Sequence, residues 1–104
     1  MLKYKRVASQ YEVPKKIGKK ILINEKSIAL FRKENKIFAI QNSCPHQGGD
    51  LAHGYVKDGK VVCPLHGWMF YLETGAFTHN ESMNLKTYPL KIINEEVYIG
   101  LEDE

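Results

Sequence analysis

Two cysteines and two histidines stand in a pair of short, similar runs, Cys44-Pro45-His46 and Cys63-Pro64-Leu65-His66, with sixteen residues between them. The surrounding stretch constrains the fold more than any other part of the chain. From Ser43 to Gly75 it carries both Cys, three of the four His, two of the four Pro and six of the eight Gly. Gly and Pro at that density mark loops whose backbone bends sharply or passes close to something. Two loops each offering one thiolate and one imidazole must therefore be held between more regular elements.

Those elements read as strands. Lys19–Ile23, Ser27–Arg32 and Lys36–Gln41 are β-branched and aromatic runs separated by Asn24-Glu25-Lys26 and Lys33-Glu34-Asn35. Such runs cut by polar breaks predict successive antiparallel strands with tight turns. Asp58-Gly59 between Tyr55-Val56-Lys57 and Lys60-Val61-Val62 is a hairpin signal. Leu85–Ile93 and Val97–Leu101 resume the pattern around Asn94-Glu95-Glu96. Ahead of Pro14, Ser9 to Glu12 predicts one short turn capped by Ser9. The expected fold is all-β: a small antiparallel β barrel or sandwich with a loop-rich insertion. Its 104 residues make one domain, with a basal β part at 1–42 and 76–104 and the insertion at 43–75.

Composition and charge narrow the function. No apolar run approaches the ~18 residues of a membrane span, and Met1–Arg6 lacks the apolar stretch of a secretory signal. The expected location is the cytoplasm, where a lone disulfide between Cys44 and Cys63 is disfavoured. Residues 1–40 hold eleven Lys/Arg against three acids, and the rest hold four against nine. Lys15, Lys16, Lys19 and Lys20 read as a solvated turn and strand edge, because no base-stacking aromatics interleave them. Neither a nucleic-acid nor a membrane partner is expected. No Ser/His/acid set, phosphate loop or carboxylate pair stands out, so no bond-making chemistry is expected of this chain alone.

The four Cys and His side chains admit three readings. They suit a [2Fe–2S] centre in which two Cys hold one iron and two His the other. They equally suit, by ligand type, a four-coordinate zinc site stabilising a binding module, although one residue between Cys44 and His46 is short of the usual two to four. They could also be ordinary turn residues.

At this point the chain resembles a known family. Cys44-Pro45-His46-Gln47-Gly48-Gly49-Asp50-Leu51 and Cys63-Pro64-Leu65-His66-Gly67-Trp68-Met69-Phe70, with Glu73-Thr74-Gly75 behind, resemble the two cluster-binding loops of Rieske proteins. The resemblance is tight over about residues 40–78. It implies one Rieske-type [2Fe–2S] cluster, with Cys44 and Cys63 on the inner iron and His46 and His66 on the outer. Asp50 departs from the related pattern, which often has Pro there, and removes no ligand.

Two branches of the family do not fit. Only 38 residues follow His66, too few for the second, iron-bearing domain of an oxygenase catalytic subunit. Gly49 and Leu65 stand where the cytochrome bc branch carries an extra disulfide. What remains implies a soluble one-electron carrier. The Pro-Leu-His-Gly-Trp-x-Phe wording leans toward the small electron-transfer component of a nitrite reductase; the alternative is a free ferredoxin between a reductase and a ring-hydroxylating dioxygenase. The implied partner is a redox protein: a flavin or NAD(P)H reductase, a nitrite reductase large subunit or an oxygenase.

A cluster with two imidazoles in place of two thiolates carries less negative charge, so it accepts an electron more readily. High-potential relatives add hydroxyl donors at positions held here by Trp68 and Phe70. The centre should therefore lie near the bottom of the ~−150 to +300 mV known for such centres. Backbone N–H groups of Gly48, Gly49 and Gly67 are expected to bond the sulfurs. Trp68 and Phe70 are expected to pack under the loops, Tyr71 to cover the core, and His53 and His79 to sit in exposed turns.

Overall fold

The computed structural model describes residues 2–45, 48–65, 67–79 and 83–102. Among these residues ten strands run in chain order: β1 (Leu2–Ser9), β2 (Lys19–Ile23), β3 (Lys26–Lys33), β4 (Lys36–Gln41), β5 (Tyr55–Lys57), β6 (Lys60–Val62), β7 (Met69–Tyr71), β8 (Thr87–Tyr88), β9 (Leu90–Ile93) and β10 (Glu96–Glu102). Single 3₁₀ turns cover Gln10–Glu12 and Leu51–His53. No helix among the described residues is long and apolar enough to cross a membrane.

The strands form three antiparallel sheets, ordered β1-β10-β9, β2-β3-β4-β8 and β5-β6-β7. The fold is all-β as expected, but the sheets stay open and do not close into a barrel. Three hairpins turn on Asn24-Glu25, Asp58-Gly59 and Asn94-Glu95, each with both central residues at positive φ. That is the tight-turn geometry whose twist matches antiparallel strands, and Asn, Asp and Gly tolerate it best. Ser9 caps the first 3₁₀ turn as expected: its hydroxyl accepts from Tyr11 N–H, and Glu12 accepts from Ser9 N–H. That bond, ahead of the nearby Lys19, holds the Glu12 carboxyl below its ordinary range.

Two strands escape the sequence pattern. β1 reads as a charged run, yet it pairs along most of β10, and β7 lies inside the Gly-rich stretch. The run at Leu85–Ile93 is interrupted at Pro89, which has no N–H to donate to a ladder.

The central sheet positions everything else. Ile28, Ala29, Leu30 and Phe31 on β3 are all fully buried, so both faces of this strand are covered. Ile28 and Leu30 join Val97, Ile99 and Leu101 in one core, under the β1-β10-β9 sheet. Ala29 and Phe31 point to the opposite side, into a second core with Ile40, Leu51, Val61, Phe70, Leu72 and both cysteines. The Gly-rich segment thus has its own apolar floor.

Candidate metal centre

The two cysteine loops share one backbone plan. In the first, Cys44 N–H donates to the Gly49 carbonyl, 2.8 Å, and in the second, Cys63 N–H donates to the Trp68 carbonyl, 2.7 Å. Each bond spans five residues, and the residue before the acceptor is a glycine at positive φ: Gly48 at 72° and Gly67 at 69°. An L side chain is strained in that left-handed region, which explains a glycine at the same place in both loops. β6 ends one residue before Cys63 and β7 begins just after Trp68, so the second loop is the tip of a β hairpin.

The first loop is held at its base by polar side chains that the sequence reading passed over. Asn42 is fully buried, and its Oδ1 accepts Ala52 N–H at 2.8 Å. Its backbone carbonyl accepts Leu51 N–H, and its N–H donates to Ser27 O. Gln41 donates from Nε2 to Ser43 O and accepts Lys86 N–H at Oε1, both 2.7 Å. An amide two residues before a cysteine is visible in sequence, but its burial and role appear only once Ala52 folds back beside it. Asn42→Ala is expected to leave the Ala52 N–H buried without a partner, at a cost of about 1–3 kcal/mol measurable by urea unfolding.

Cys44 and Cys63 are not joined as a disulfide; each is 1% exposed, and both lie in the same core cluster. The loops press together: a Cβ on Gly49 would meet Leu65 Cδ1 at 2.9 Å and Cys63 Sγ at 3.5 Å. Leu65 N–H points at Cys63 Sγ, 3.4 Å away. The turn puts the residue two after the cysteine within reach of its own sulfur. Of the expected glycine donors, Gly48 N–H is instead spent on the Cys44 carbonyl at 2.7 Å. A metal group would supply the positive charge that two buried sulfur ligands need, and the backbone donor aimed at one sulfur suits such a ligand. The described residues therefore fit a sulfur-ligated metal group shared by both loops. His46 and His66 lie outside the described residues.

The neighbouring candidates fall into place. Trp68 stacks on Phe77, centroids 4.3 Å apart, and Phe70 is fully buried 5.2 Å from the same ring, so both pack beneath the loops as expected. Tyr71 does not cover the core. The strand alternation that turns Phe70 inward turns Tyr71 out, where it is 45% exposed. His53 is exposed, with Nδ1 4.0 Å from Asp50, and His79 sits edge-on to Phe77. Asp50 pairs with Lys20 Nζ at 3.2 Å, an anchor for the end of the first loop that a proline could not provide.

Comparison with known proteins agrees with this geometry. Residues 3–89 match the Rieske [2Fe–2S] domain. The ferredoxin component of a naphthalene 1,2-dioxygenase system from Pseudomonas aeruginosa is 34% identical over 92 residues, 88% of each chain. Among solved structures, one described as an NADH-dependent nitrite reductase small subunit from Mycobacterium tuberculosis superposes with a TM-score of 0.90 at 18% identity, covering 100% of this chain and 99% of that one. The Sphingomonas yanoikuyae B1 ferredoxin superposes with a TM-score of 0.87 at 24% identity, covering 96% and 100%. At those identities the structural likeness is one of fold. The match over residues 3–89, across two loops of this shape, makes the chain a member of the Rieske [2Fe–2S] domain family, whose cofactor is a two-iron, two-sulfide cluster.

Proposed function

We propose that the protein is a one-electron carrier in which Cys44 and Cys63 ligate one iron and His46 and His66 the other. The observation that carries the reading is the pair of buried cysteines, not bridged to each other, at equivalent positions of two matching loops. When bound, the cluster supplies a single reversible redox step. The chain's own residues fix and shield it. Cys44 and Cys63 present sulfur from an apolar core, Leu65 N–H bonds one sulfur, and Leu51, Phe70 and Trp68 pack around the loops. On this reading residues 43–75 form a cluster-binding subdomain on a basal β part, and the protein works in the cytoplasm beside a redox partner.

Two systems are compatible. The relative matched over 88% of both chains supports a ferredoxin that carries electrons from a reductase to an oxygenase. The Pro64-Leu65-His66-Gly67-Trp68 wording supports the small component of a nitrite reductase. Purified protein should be red-brown and contain iron and acid-labile sulfide, whereas a zinc module would be colourless. Reduced protein should then restore turnover to either an oxygenase component or a nitrite reductase large subunit, and whichever responds decides between the systems.

The midpoint potential is a separate expected outcome. With Trp68 and Phe70 at those positions and no hydroxyl there, it should lie below zero and near the bottom of the ~−150 to +300 mV range. A spectroelectrochemical titration checks this, and a value well above zero contradicts it.

A further inference from the structure

Lys19 and Lys20 stand on β2, an edge strand as expected, and that edge lies beside the segment following the first cysteine loop. Lys20 meets Asp50, Gly18 N–H donates to Ala52 O at 3.2 Å, and Val56 N–H donates to Lys16 O at 2.9 Å. These contacts run in opposite directions along the chain, so residues 16–20 lie lengthwise beside the segment that leaves the first cysteine loop and enters β5.

The β5-β6-β7 sheet continues this surface. Residues opposite one another across a sheet share a face. Val56, Val61 and Phe70 form the row turned into the core, while Tyr55, Val62 and Met69, then Lys57, Lys60 and Tyr71, form the two rows on the other face, where Val62 is also buried. Tyr55 and Ile17 are just over half exposed, and Tyr71 nearly so. Lys57 and Lys60 stand directly opposite each other, a like-charge pairing that costs hairpin stability. Lys60 Nζ lies 5.5 Å from the Tyr71 ring centroid, which partly offsets that cost. Lys20 is neutralised by Asp50 and Lys19 by Glu12, but Lys16, Lys57 and Lys60 have no ion pair among the described residues. Asp58, in the turn between β5 and β6, is the nearest acid in sequence.

Exposed aromatic and apolar side chains bordered by charge are the usual anatomy of a docking patch. This one sits on the sheet whose hairpin tip carries Cys63 and whose entry follows the Cys44 loop. We infer that the outer face of β5-β6-β7, with Lys16 beside it, docks the acidic surface of a redox protein. The inference rests on the electron-carrier reading. Complementary charge of this kind acts mainly on the rate of encounter, and salt screens it.

The test uses reduced holoprotein and two small oxidants of opposite charge, hexacyanoferrate(III) and tris(phenanthroline)cobalt(III). Each takes one electron from the protein with no proton transferred. Lys57→Glu/Lys60→Glu is compared with Lys5→Glu/Lys91→Glu on the β1-β10-β9 sheet, which changes net charge equally. At about 10 mM ionic strength the first variant should slow the anionic oxidant by about tenfold and speed the cationic one, with both effects fading near 1 M salt. The second variant should change either rate by no more than about twofold. Poly-L-glutamate should inhibit the anionic reaction of the unaltered protein and spare that of the first variant. If Lys57→Glu/Lys60→Glu unfolds, Lys57→Gln/Lys60→Gln carries the same comparison with smaller shifts. Equal effects from both variants, or inhibition indifferent to Lys57 and Lys60, would overturn the docking face. Protein without iron and labile sulfide would instead overturn the carrier reading beneath it.

Discussion

Protein carrying Cys63→Ala should purify colourless, with iron and acid-labile sulfide at background, while its far-UV circular dichroism still reports a folded β protein. The same holds for Cys44→Ala. Each thiol is the sole sulfur donor of its loop, and the chain has no third cysteine to replace it. Alanine is the informative substitution because both sites are apolar and closed. Serine would bury a hydroxyl in the core shared with Leu51, Val61 and Phe70, adding a desolvation cost to the loss of the ligand. Alanine leaves only a small void, worth about 1–2 kcal/mol, and the floor beneath the loops stays intact. Loss of metal and loss of fold can then be separated by setting elemental analysis beside urea unfolding. Full iron content in either variant would remove that cysteine from the proposed ligand set.

Why the loops were readable and their support was not is a matter of range. Glycine four residues after each cysteine, proline immediately after it and the polar turns between strands are local signals, and local backbone conformation answers to them. The positive φ of Gly48 and Gly67 and the three tight hairpins follow directly. β1 carried no such signal. Leu2 and Tyr4 alternate with Lys3 and Lys5 only briefly before Arg6 and Val7 shift the pattern, and it becomes a strand because β10 offers a ladder of unpaired backbone groups beside it. β3 was legible as a strand, but that its two faces enter two separate cores depends on the sheets packed on either side. The clamp at Asn42 and Gln41 depends on residues 10 and 45 positions away. No periodicity in the sequence encodes that proximity. The same holds for the lysines: as a sequence run they read as a solvated edge, and only the contacts of Gly18 and Lys20 with Ala52 and Asp50 bring them beside the cysteine loops.

The second large effect is expected at Gly54, outside the ligand motifs. Its backbone is extended, with φ −82° and ψ −158°, so alanine would meet no torsional penalty there. The obstacle is contact. A Cβ at this position would collide with the Val62 carbonyl oxygen and approach the Leu51 carbonyl oxygen to 3.2 Å. Both are backbone atoms and cannot rotate away. Relief requires β5 to move off β6 at the pairing of Tyr55 with Val62, the residue before Cys63. Gly54→Ala should therefore cost more than the ~1–3 kcal/mol typical of overpacking, and it should also shorten the lifetime of the cluster by displacing the start of its second loop. Gly67→Ala is the matched comparison. A Cβ there would meet nothing within 4 Å, and the penalty reduces to the left-handed backbone, about 1–2 kcal/mol. Urea unfolding of the two variants, with the rate of iron release to a chelator, should place Gly54→Ala well below Gly67→Ala on both measures. The opposite order would mean that β5 and β6 can part without cost, and that their close approach does not fix the position of Cys63.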